Sequence, residues 1–578
     1  MTLALAAGGP LGRTEQFWMT TPVDVHGIDK LHTRVVYPRD FDPTKKYTAV
    51  MDRSPYGYEG LEWIADLLVP FGFVALGQDM RGTGYSTGNF TMWHSDNNDG
   101  EALGDWIVSQ PWSNGEVYTF GGSADGLASF TVAHNTPSWL MGQYIVWSSA
   151  QAYEILMPNG AYLEHLVYHW LSSTVRPYDL DYCLNMLYTN EAETMWWKPL
   201  DMKGQYSDLV KFPSGMWGGW YDIFLPGNLM SYEGYNAEAD DEHKHKSRLL
   251  MDPLGHCQDG AEFFPQDLVE GRTLLGLAQM LETYDIRPVS RDNIQNVTFY
   301  VMSSNDTQGL EAANYWTTME NFPEFEETKL YLHPDGKAAF DAPAEDATPT
   351  STTYTYDPSD PVMGLGGNNL SPLPCGPLDQ RASEDGRTDV LQFDTAPFDE
   401  PFFMTGPLFA HLYVSSDAID TDFTVKMSDV FPTGEMRLIM DQTLRMRWRD
   451  GGLEPVYMEK DEVYSVTVNL WNTSFVMAPK HVLRVSVSSS NYPRFSVNPN
   501  NGLLLKDPEY PGQNITARNT LYHSSKYPSH LRLPEVQAKQ LPKIHDLKAT
   551  LEDSFRGIDN IDDIVARASA SFSMDRKR

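Results

Sequence analysis

The stretch "YTFGGSADGLASF", residues 118–130, decides how the rest of the chain is read. An apolar run closes on Gly121 and Gly122, Ser123 follows, and after Gly126 the pattern turns helical. A loose loop is one reading. The other is a strained strand-to-helix turn that lifts one hydroxyl above a sheet, with glycines where neighbouring backbone comes close. "EVYTF" (116–120) supplies the strand and "LASFTVAHN" (127–135) the helix. The turn satisfies G-x-S-x-x-G rather than the usual G-x-S-x-G, because Asp125 stands where the second glycine belongs. Plain topology also produces glycine-rich turns, so the reading depends on partners.

A serine hydroxyl is a weak nucleophile at its own pKa. It needs a base, a group that orients the base, and donors for the oxyanion. In this kind of turn the acid and the histidine follow the serine in chain order, each from a loop after a later strand. "GGWYDIF" (218–224) offers Asp222 and "LLMDPLGHC" (249–257) offers His256, both where a sheet's carboxyl edge presents side chains. Taken singly, Asp222 reads as a helix N-cap and His256 as a satisfied loop histidine among 15. Their joint order and spacing favour a Ser-His-Asp set.

The surrounding pattern fits. "YTAVMD" (47–52) and "FVALGQD" (73–79) read as buried strands, "GLEWIADLLVPFG" (60–72) and "NDGEALGDWIVSQ" (98–110) as helices. Strands separated by helices imply a parallel sheet with crossover connections. Residues 150–210 are rich in Tyr, Leu, Met and Trp at helical spacing, which predicts an inserted helical cap. The α/β rhythm resumes at "FPSGMWGGWYD" (212–222), "SRLLMDPLGH" (247–256) and "NVTFYVMSS" (296–304). From about residue 326 short alternating strands take over. "LFAHLYVSS" (408–416) puts Leu408, Ala410, Leu412 and Val414 on one face. "VLRVSVSSS" (482–490) puts Leu483, Val485 and Val487 on one face and Arg484, Ser486 and Ser488 on the other. That is the pattern of a β-sandwich or jelly roll. Residues 536–578 read as a charged, weakly helical tail.

At 578 residues the chain is too long for one core. A net charge of −35 with no basic stripe argues against a nucleic-acid partner. No apolar run is long enough to span a membrane. The opening "MTLALAAGGPLG" lacks the basic residues of a signal peptide, so the compartment stays open between cytoplasm and secretion. Six N-x-[ST] sequons, at Asn89, Asn296, Asn305, Asn369, Asn472 and Asn514, are within what chance gives a chain this long. Cys183, Cys257 and Cys375 form no readable disulfide framework or metal site, and Cys257 reads as a small buried residue.

Further stretches carry a resemblance. "DMRGTGYSTG" (79–88) resembles D-x-R-G-x-G-x-S-x-G, and "DWIVSQPWSNGEV" (105–117) resembles W-x-x-x-Q-P-W-S-N-G-x-V directly before the serine turn. "GGWYDIF" resembles an acid loop. "DTDFTVKMSDVFPTG" (420–434), "LRMRWRD" (444–450) and "HVLRVSVSSSNYPRFSVNPNNG" (481–502) resemble jelly-roll signatures. Over residues 15–535 the chain resembles the family of serine hydrolases that includes cocaine esterase, the α-amino acid ester hydrolases, the glutaryl-cephalosporin acylases and the X-Pro dipeptidyl-peptidases. The resemblance implies Ser123 as nucleophile, His256 as general base and acid, and Asp222 as orienting carboxylate. "DRSPYG" (52–57) resembles the segment whose tyrosine is an oxyanion donor, which falls on Tyr56, with the Ala124 backbone N–H as the second donor. Read without the resemblance, Tyr56 is a turn tyrosine packed after Pro55.

Two departures stand out. Ala124 follows the serine where the family often has an aromatic residue, which implies a roomier pocket. "DPLGH" has Asp252 and Leu254 where the family commonly has Gly and Trp. Asp125 either caps the next helix, where the dipole favours an anion, or attracts an amino group of the substrate. Asp125, Trp147 and Trp220 are the candidate pocket residues. The cap aromatics Tyr162, Tyr168, Trp170, Trp196 and Trp197 read mainly as helix core, some of them lining a pocket. "MRGTGYSTG" lacks the lysine and spacing of a phosphate loop, Arg81 and Asp79 read as pairing with each other or with neighbours, and Asp240–Asp241 and Asp562–Asp563 read as solvated faces. "DEHKHK" (241–246) lacks further ligands for a metal.

The expectation is an α/β-hydrolase domain (15–149 and 211–325), a helical cap (150–210), a C-terminal jelly roll (326–535) and a tail (536–578). The expected activity is hydrolysis of a small-molecule ester or amide through an acyl-serine, with no metal or organic cofactor. An X-Pro dipeptidyl aminopeptidase, a biosynthetic acyltransferase or cyclase, and a non-catalytic binding protein are the alternatives. The oligomeric state, a homo-oligomer included, is left open.

Overall fold

The computed structural model describes residues 3–5, 14–20, 29–57, 60–257, 262–265, 267–304, 312–345, 350–556, 558 and 564–566. Asn305, the pair Asp562–Asp563 and most of the chain after residue 558 lie outside the described residues.

One large sheet organises the first half. Its strands are β1 (Leu3–Leu5), β2 (Thr14–Thr20), β3 (Lys30–Val36), β4 (Tyr47–Ser54), β5 (Val74–Asp79), β6 (Ser113–Gly122), β7 (Leu140–Val146), β8 (Ser214–Gly219), β9 (Arg248–Asp252), β10 (Val297–Val301) and β11 (Tyr315–Met319). Their spatial order is β1-β2-β3-β5-β4-β6-β7-β8-β9-β10-β11. Neighbours from β5 through β10 run parallel; β1, β2, β3 and β11 add antiparallel edges. β4, β5, β8 and β9 are almost wholly buried, which is why they read as continuous apolar runs rather than alternating ones.

The crossovers are α1 (Gly60–Leu68), α2 (Asp96–Ser109) and α3 (Ala124–Val132). The helix expected over 60–72 ends at Leu68: a 3-10 turn over Val69–Phe71, with Pro70 inside it, follows, and Gly72, at φ 91°, closes it in the left-handed region. Between β7 and β8 lie α4 (Ala152–Leu156), α5 (Trp170–Thr174), α6 (Pro177–Thr189) and α7 (Tyr206–Leu209), with a π-helical turn at His165–His169. α8 (Leu225–Glu233) follows β8 and α9 (Asp267–Thr283) follows β9.

The second half is the jelly-roll β domain. β12 (Glu326–Leu332), β13 (Ala338–Ala339), β14 (Ser351–Tyr356), β16 (Phe402–Ser416), β19 (Tyr464–Met477), β21 (Ala517–Tyr522) and β22 (His530–Glu535) form one sheet. β15 (Leu391–Asp394), β17 (Asp422–Val430), β18 (Met436–Arg445) and β20 (Val482–Ser488) form the other. Leu408, Ala410, Leu412, Val414, Leu483, Val485 and Val487 are all at 0% exposure, as their alternation predicts. The opposite face of β20 is largely covered as well: Ser486 is buried and donates to Glu384 Oε2, while the partly exposed Arg484 pairs with Asp394.

The reading of Cys257 as a lone buried thiol is corrected: it is disulfide-bonded to Cys375, across 118 residues of sequence. The free cysteine is Cys183, buried in α6. Arg81 pairs with Asp99 at 2.7 Å and Asp29 at 2.8 Å rather than with Asp79. Of the sequons, Asn369 is buried with its amide on Gly366 O, and Asn296 is buried too. Past the jelly roll, the helix Leu547–Phe555 packs on α9, with Leu551 at 0% exposure.

Candidate functional site

The sheet brings the ends of four strands to one edge. β4 pairs β6 in parallel through Met51↔Thr119; three residues further on, Ser54 comes level with Gly122. Gly122 is opposite Val146, and Gly219 is opposite Asp252. Tyr56, Ser123, Asp222 and His256 therefore leave the sheet at the same carboxyl edge, where α/β proteins build their sites.

Ser123 sits at φ 55°, ψ −123°, outside the regions an L-residue prefers. The flanking glycines have distinct reasons. A Cβ on Gly121 would come 2.4 Å from Asp125 O, and one on Gly126 would come 2.4 Å from Ser148 Cβ. A Cβ on Gly122 would meet nothing nearer than 3.7 Å. The spacing G-x-S-x-x-G thus records two real close approaches. Ser148 braces the turn further by donating to the Ser123 carbonyl at 2.7 Å. Ser123 itself is the N-cap of α3, so Asp125 lies in the first turn without being the cap.

The loops after β8 and β9 are bonded together. Trp220 N–H donates to Asp252 O and Tyr221 N–H to Pro253 O. Asp222, at 0% exposure, accepts from Phe224 N–H on Oδ1, and from both the His256 backbone N–H and His256 Nδ1 on Oδ2, the last two at 2.6 Å. A carboxylate only accepts, so Nδ1 carries the proton. Gly255, at φ 55°, permits this: a Cβ there would lie 2.2 Å from Asp222 Oδ2. The Asp252 of the departing "DPLGH" shapes the loop, accepting from Leu254 N–H and Gly255 N–H, while its other oxygen takes the Trp217 indole N–H. The His256 ring lies 5.3 Å from Trp147 and 5.7 Å from Phe224.

Ser123 opens on a cavity between the sheet edge and the helical segment. Met92, Trp93, Leu127, Ile155, Trp170 and Phe224 are among its walls, and among the described residues that line it none is charged. The three candidate pocket residues are not on its walls. Trp220 is 1% exposed, with its indole N–H on Tyr300 O in the core. Trp147 backs the His256 ring. Asp125 is not among the lining residues. Of the cap aromatics, Trp170 and Trp197 reach the cavity, while Tyr168 is half exposed.

Tyr56 ends the turn after β4, and its hydroxyl accepts the Trp170 indole N–H at 2.7 Å. Ala124, the first residue of α3, has an N–H with no upstream carbonyl of the helix to take it. Its own carbonyl accepts the Trp93 indole N–H at 2.9 Å. Nearby, burial pushes the Asp52 carboxyl up to about 7, against the lowering effects of the Arg53 backbone and guanidinium.

Sequence reasoning missed the contribution of one jelly-roll segment. Asn368 donates to Trp220 O and Asp222 O, Leu370 lines the cavity, and Cys375 holds the residue after His256. No local signal announces contacts so far apart in sequence. Among the described residues, no three His, Cys, Asp or Glu side chains converge as a metal site would require, and no helix is long and apolar enough to cross a membrane. His243 of "DEHKHK" pairs with Asp240 at 2.7 Å.

Comparison with known proteins agrees with this architecture. The sequence model of the X-Pro dipeptidyl-peptidase (S15 family) matches residues 26–181, and that of the X-Pro dipeptidyl-peptidase C-terminal non-catalytic domain matches residues 292–532. The chain is 27% identical over 540 residues to the cocaine esterase of a Rhodococcus species, covering 82% of this chain and 90% of that one. In solved structures the fold recurs in an α-amino acid ester hydrolase (TM-score 0.76, 20% identity, 92% of this chain and 98% of that one). It recurs as well in an aminopeptidase from a marine sediment Thaumarchaeota archaeon (TM-score 0.74, 20% identity, 90% and 96%).

Proposed function

The chain belongs to the serine hydrolase family of cocaine esterase and the X-Pro dipeptidyl-peptidases, enzymes of ester and amide bonds, and from that premise we propose that Ser123, His256 and Asp222 are its catalytic triad. The observation that carries the reading is the 2.6 Å bond from His256 Nδ1 to Asp222 Oδ2, at the sheet edge where Ser123 is held at positive φ. With the proton fixed on Nδ1, the Nε2 lone pair is the basic site of the ring.

Ser123 Oγ attacks the substrate carbonyl while His256 Nε2 takes the hydroxyl proton, and Asp222 stabilises the imidazolium. The oxyanion is met by the Tyr56 hydroxyl and the Ala124 N–H, the latter with the positive end of α3 behind it. His256 passes its proton to the departing alcohol or amine, leaving an acyl-serine. Water, deprotonated by the same nitrogen, then releases the acid and restores Ser123.

The acyl group is neutral and apolar. The described walls of the cavity are apolar and bind such groups by burial. That favours an esterase or amidase over an X-Pro aminopeptidase, which needs an acidic clamp for its substrate's free amine. The test is labelling by a fluorophosphonate, with turnover of activated esters, β-lactams and X-Pro amides measured in parallel. Labelling of the native chain but not of Ser123→Ala, together with preference for neutral esters, is the expected result. Equal labelling of both chains would remove Ser123 from the mechanism.

A further inference from the structure

The cavity wall and the two oxyanion donors are joined by a pair of indoles. Trp93 and Trp170 stack with centroids 5.3 Å apart and planes 18° from parallel, and both line the cavity. Trp93 N–H donates to the carbonyl of Ala124, and Trp170 N–H donates to the hydroxyl of Tyr56. The direction of each bond is unambiguous, because an indole nitrogen only donates. We infer that Trp170 is a positioning residue for the oxyanion hole: its N–H holds the Tyr56 hydroxyl as a donor, and its stack on Trp93 fixes the separation of Tyr56 from Ala124. This rests on the triad and oxyanion reading above.

The chemistry of a phenol makes the bond consequential. Tyr56 is 37% exposed on a turn, and its ring meets the Trp170 ring edge-on with centroids 6.4 Å apart. Its oxygen has one proton and two acceptor sites, and the O–H rotates to suit its partners. A donor held at 2.7 Å occupies one acceptor site and turns the proton away from itself. Hydrogen bonds in series polarise one another, so accepting from Trp170 also strengthens Tyr56 as a donor. Trp170 belongs to the cap helix α5, whereas Tyr56 belongs to the sheet edge. The bond therefore ties the cap's placement to the chemistry, and an acyl group pressed against the indole pair bears on both donors at once.

A double-mutant cycle on the full-length enzyme tests this, with p-nitrophenyl acetate, whose acyl group is too small to fill the cavity. Tyr56→Phe is expected to lower kcat by about 10²-fold, the usual cost of one oxyanion donor. Trp170→Phe keeps an aromatic wall and removes the N–H; it is expected to lower kcat about tenfold with KM little changed. In the Tyr56→Phe background, Trp170→Phe is expected to do almost nothing further, since the hydroxyl it acts through is gone. Affinity for a trifluoromethyl ketone, which forms a tetrahedral adduct, should fall in step with kcat. If Trp170→Phe packs poorly, β-(3-benzothienyl)alanine at position 170 replaces the N–H by sulfur at nearly constant shape and should give the same tenfold loss. If Tyr56→Phe slows the enzyme but Trp170→Phe is silent, or its effect multiplies that of Tyr56→Phe, the positioning role is wrong and the oxyanion reading stands. If Tyr56→Phe is itself without effect, the oxyanion assignment fails and takes the inference with it.

Discussion

Asp222→Asn separates an orienting carboxylate from a merely structural one, and its cost can be worked from three hydrogen bonds. Asp222 Oδ1 accepts one N–H, from Phe224, and Oδ2 accepts two, from His256 N and Nδ1. An asparagine has one oxygen and one NH₂ group to set in those two places. With its oxygen toward His256, the NH₂ faces the Phe224 N–H, donor against donor. With its oxygen toward Phe224, the NH₂ faces the His256 backbone N–H and also Nδ1, which relieves one conflict by giving up its proton. Either way one buried N–H is unsatisfied, a cost of about 1–3 kcal/mol in stability. The second arrangement gains a hydrogen bond to Nδ1 and moves the ring proton to Nε2, which then cannot accept from Ser123. The stabilising charge opposite the imidazolium is lost in both. We expect kcat to fall about 10³- to 10⁴-fold, equivalent to about 4–5.5 kcal/mol of barrier. KM should change little, because Asp222 is wholly buried and lines no part of the cavity. The assay is steady-state turnover of an activated ester, with thermal melting of both chains to show that the variant is folded. A kcat within about tenfold of the native value in a folded variant would refute the assignment and reduce Asp222 to an anchor for the histidine loop.

Other predictions follow from single contacts. Gly126→Ala should slow turnover by at least about tenfold, because its Cβ meets Ser148 at 2.4 Å and pushes α3 and its N-terminal donor, whereas Gly122→Ala, with nothing nearer than 3.7 Å, should be close to native; equal kinetics for the two would discredit the account of the turn. Burial holds Asp52 protonated up to about pH 7, so the folded state binds more protons than the unfolded one between about pH 4 and 7, and stability declines as pH rises through that window. Relative to native, the stability of Asp52→Asn should therefore improve as pH rises from 5 to about 7 and level off above that, a change of about 2–3 kcal/mol read from melting curves; a difference that does not vary with pH would contradict this. Glu191 accepts from Arg447 Nε and Nη2, Trp448 Nε1 and Leu505 N in a site where both charged side chains are almost wholly buried. Glu191→Gln should cost about 3 kcal/mol or more and lower the melting temperature by several degrees; an unchanged melting curve would mean the pair is replaceable.

What could be read from sequence divides by distance along the chain. The strand runs, the crossover helices and the alternation in β16 and β20 are local patterns, and the α/β sheet and jelly roll they imply are present. The serine turn was legible for the same reason: Gly121 and Gly126 answer to atoms within a few residues of the turn or at the next strand's end. Side-chain direction was not legible. Trp220, a candidate pocket residue two positions before Asp222, turns its ring into the core to reach Tyr300. Nor were pairings across long stretches, such as Cys257 with Cys375, Asn368 with the acid loop, or Glu191 with Arg447, 256 residues apart.

The strand ends hold the reacting groups through bonds each loop makes with its neighbour, so their chemistry is written locally and repeats as motifs. The cavity is closed by α5 and the segment around Leu370, which reach it from about 50 and 250 residues beyond Ser123 in sequence. Substitutions at the apolar lining residues there, Leu370 and Leu171 among them, reshape the acyl wall without touching the strained turn, whereas Asn368 beside Leu370 also holds the acid loop through the Asp222 carbonyl. Trp170 breaks this separation, since it is both a wall and a donor to Tyr56. A change at position 170 should therefore alter rate and acyl preference together, while a change at Leu166 or Leu171, which line the cavity by apolar contact, should alter preference among acyl chains and leave acetyl-ester kcat near native. Finding that Leu171→Ala slows acetyl-ester turnover as much as Trp170→Phe does would show that the cap acts on the chemistry by packing in general and not through one indole N–H.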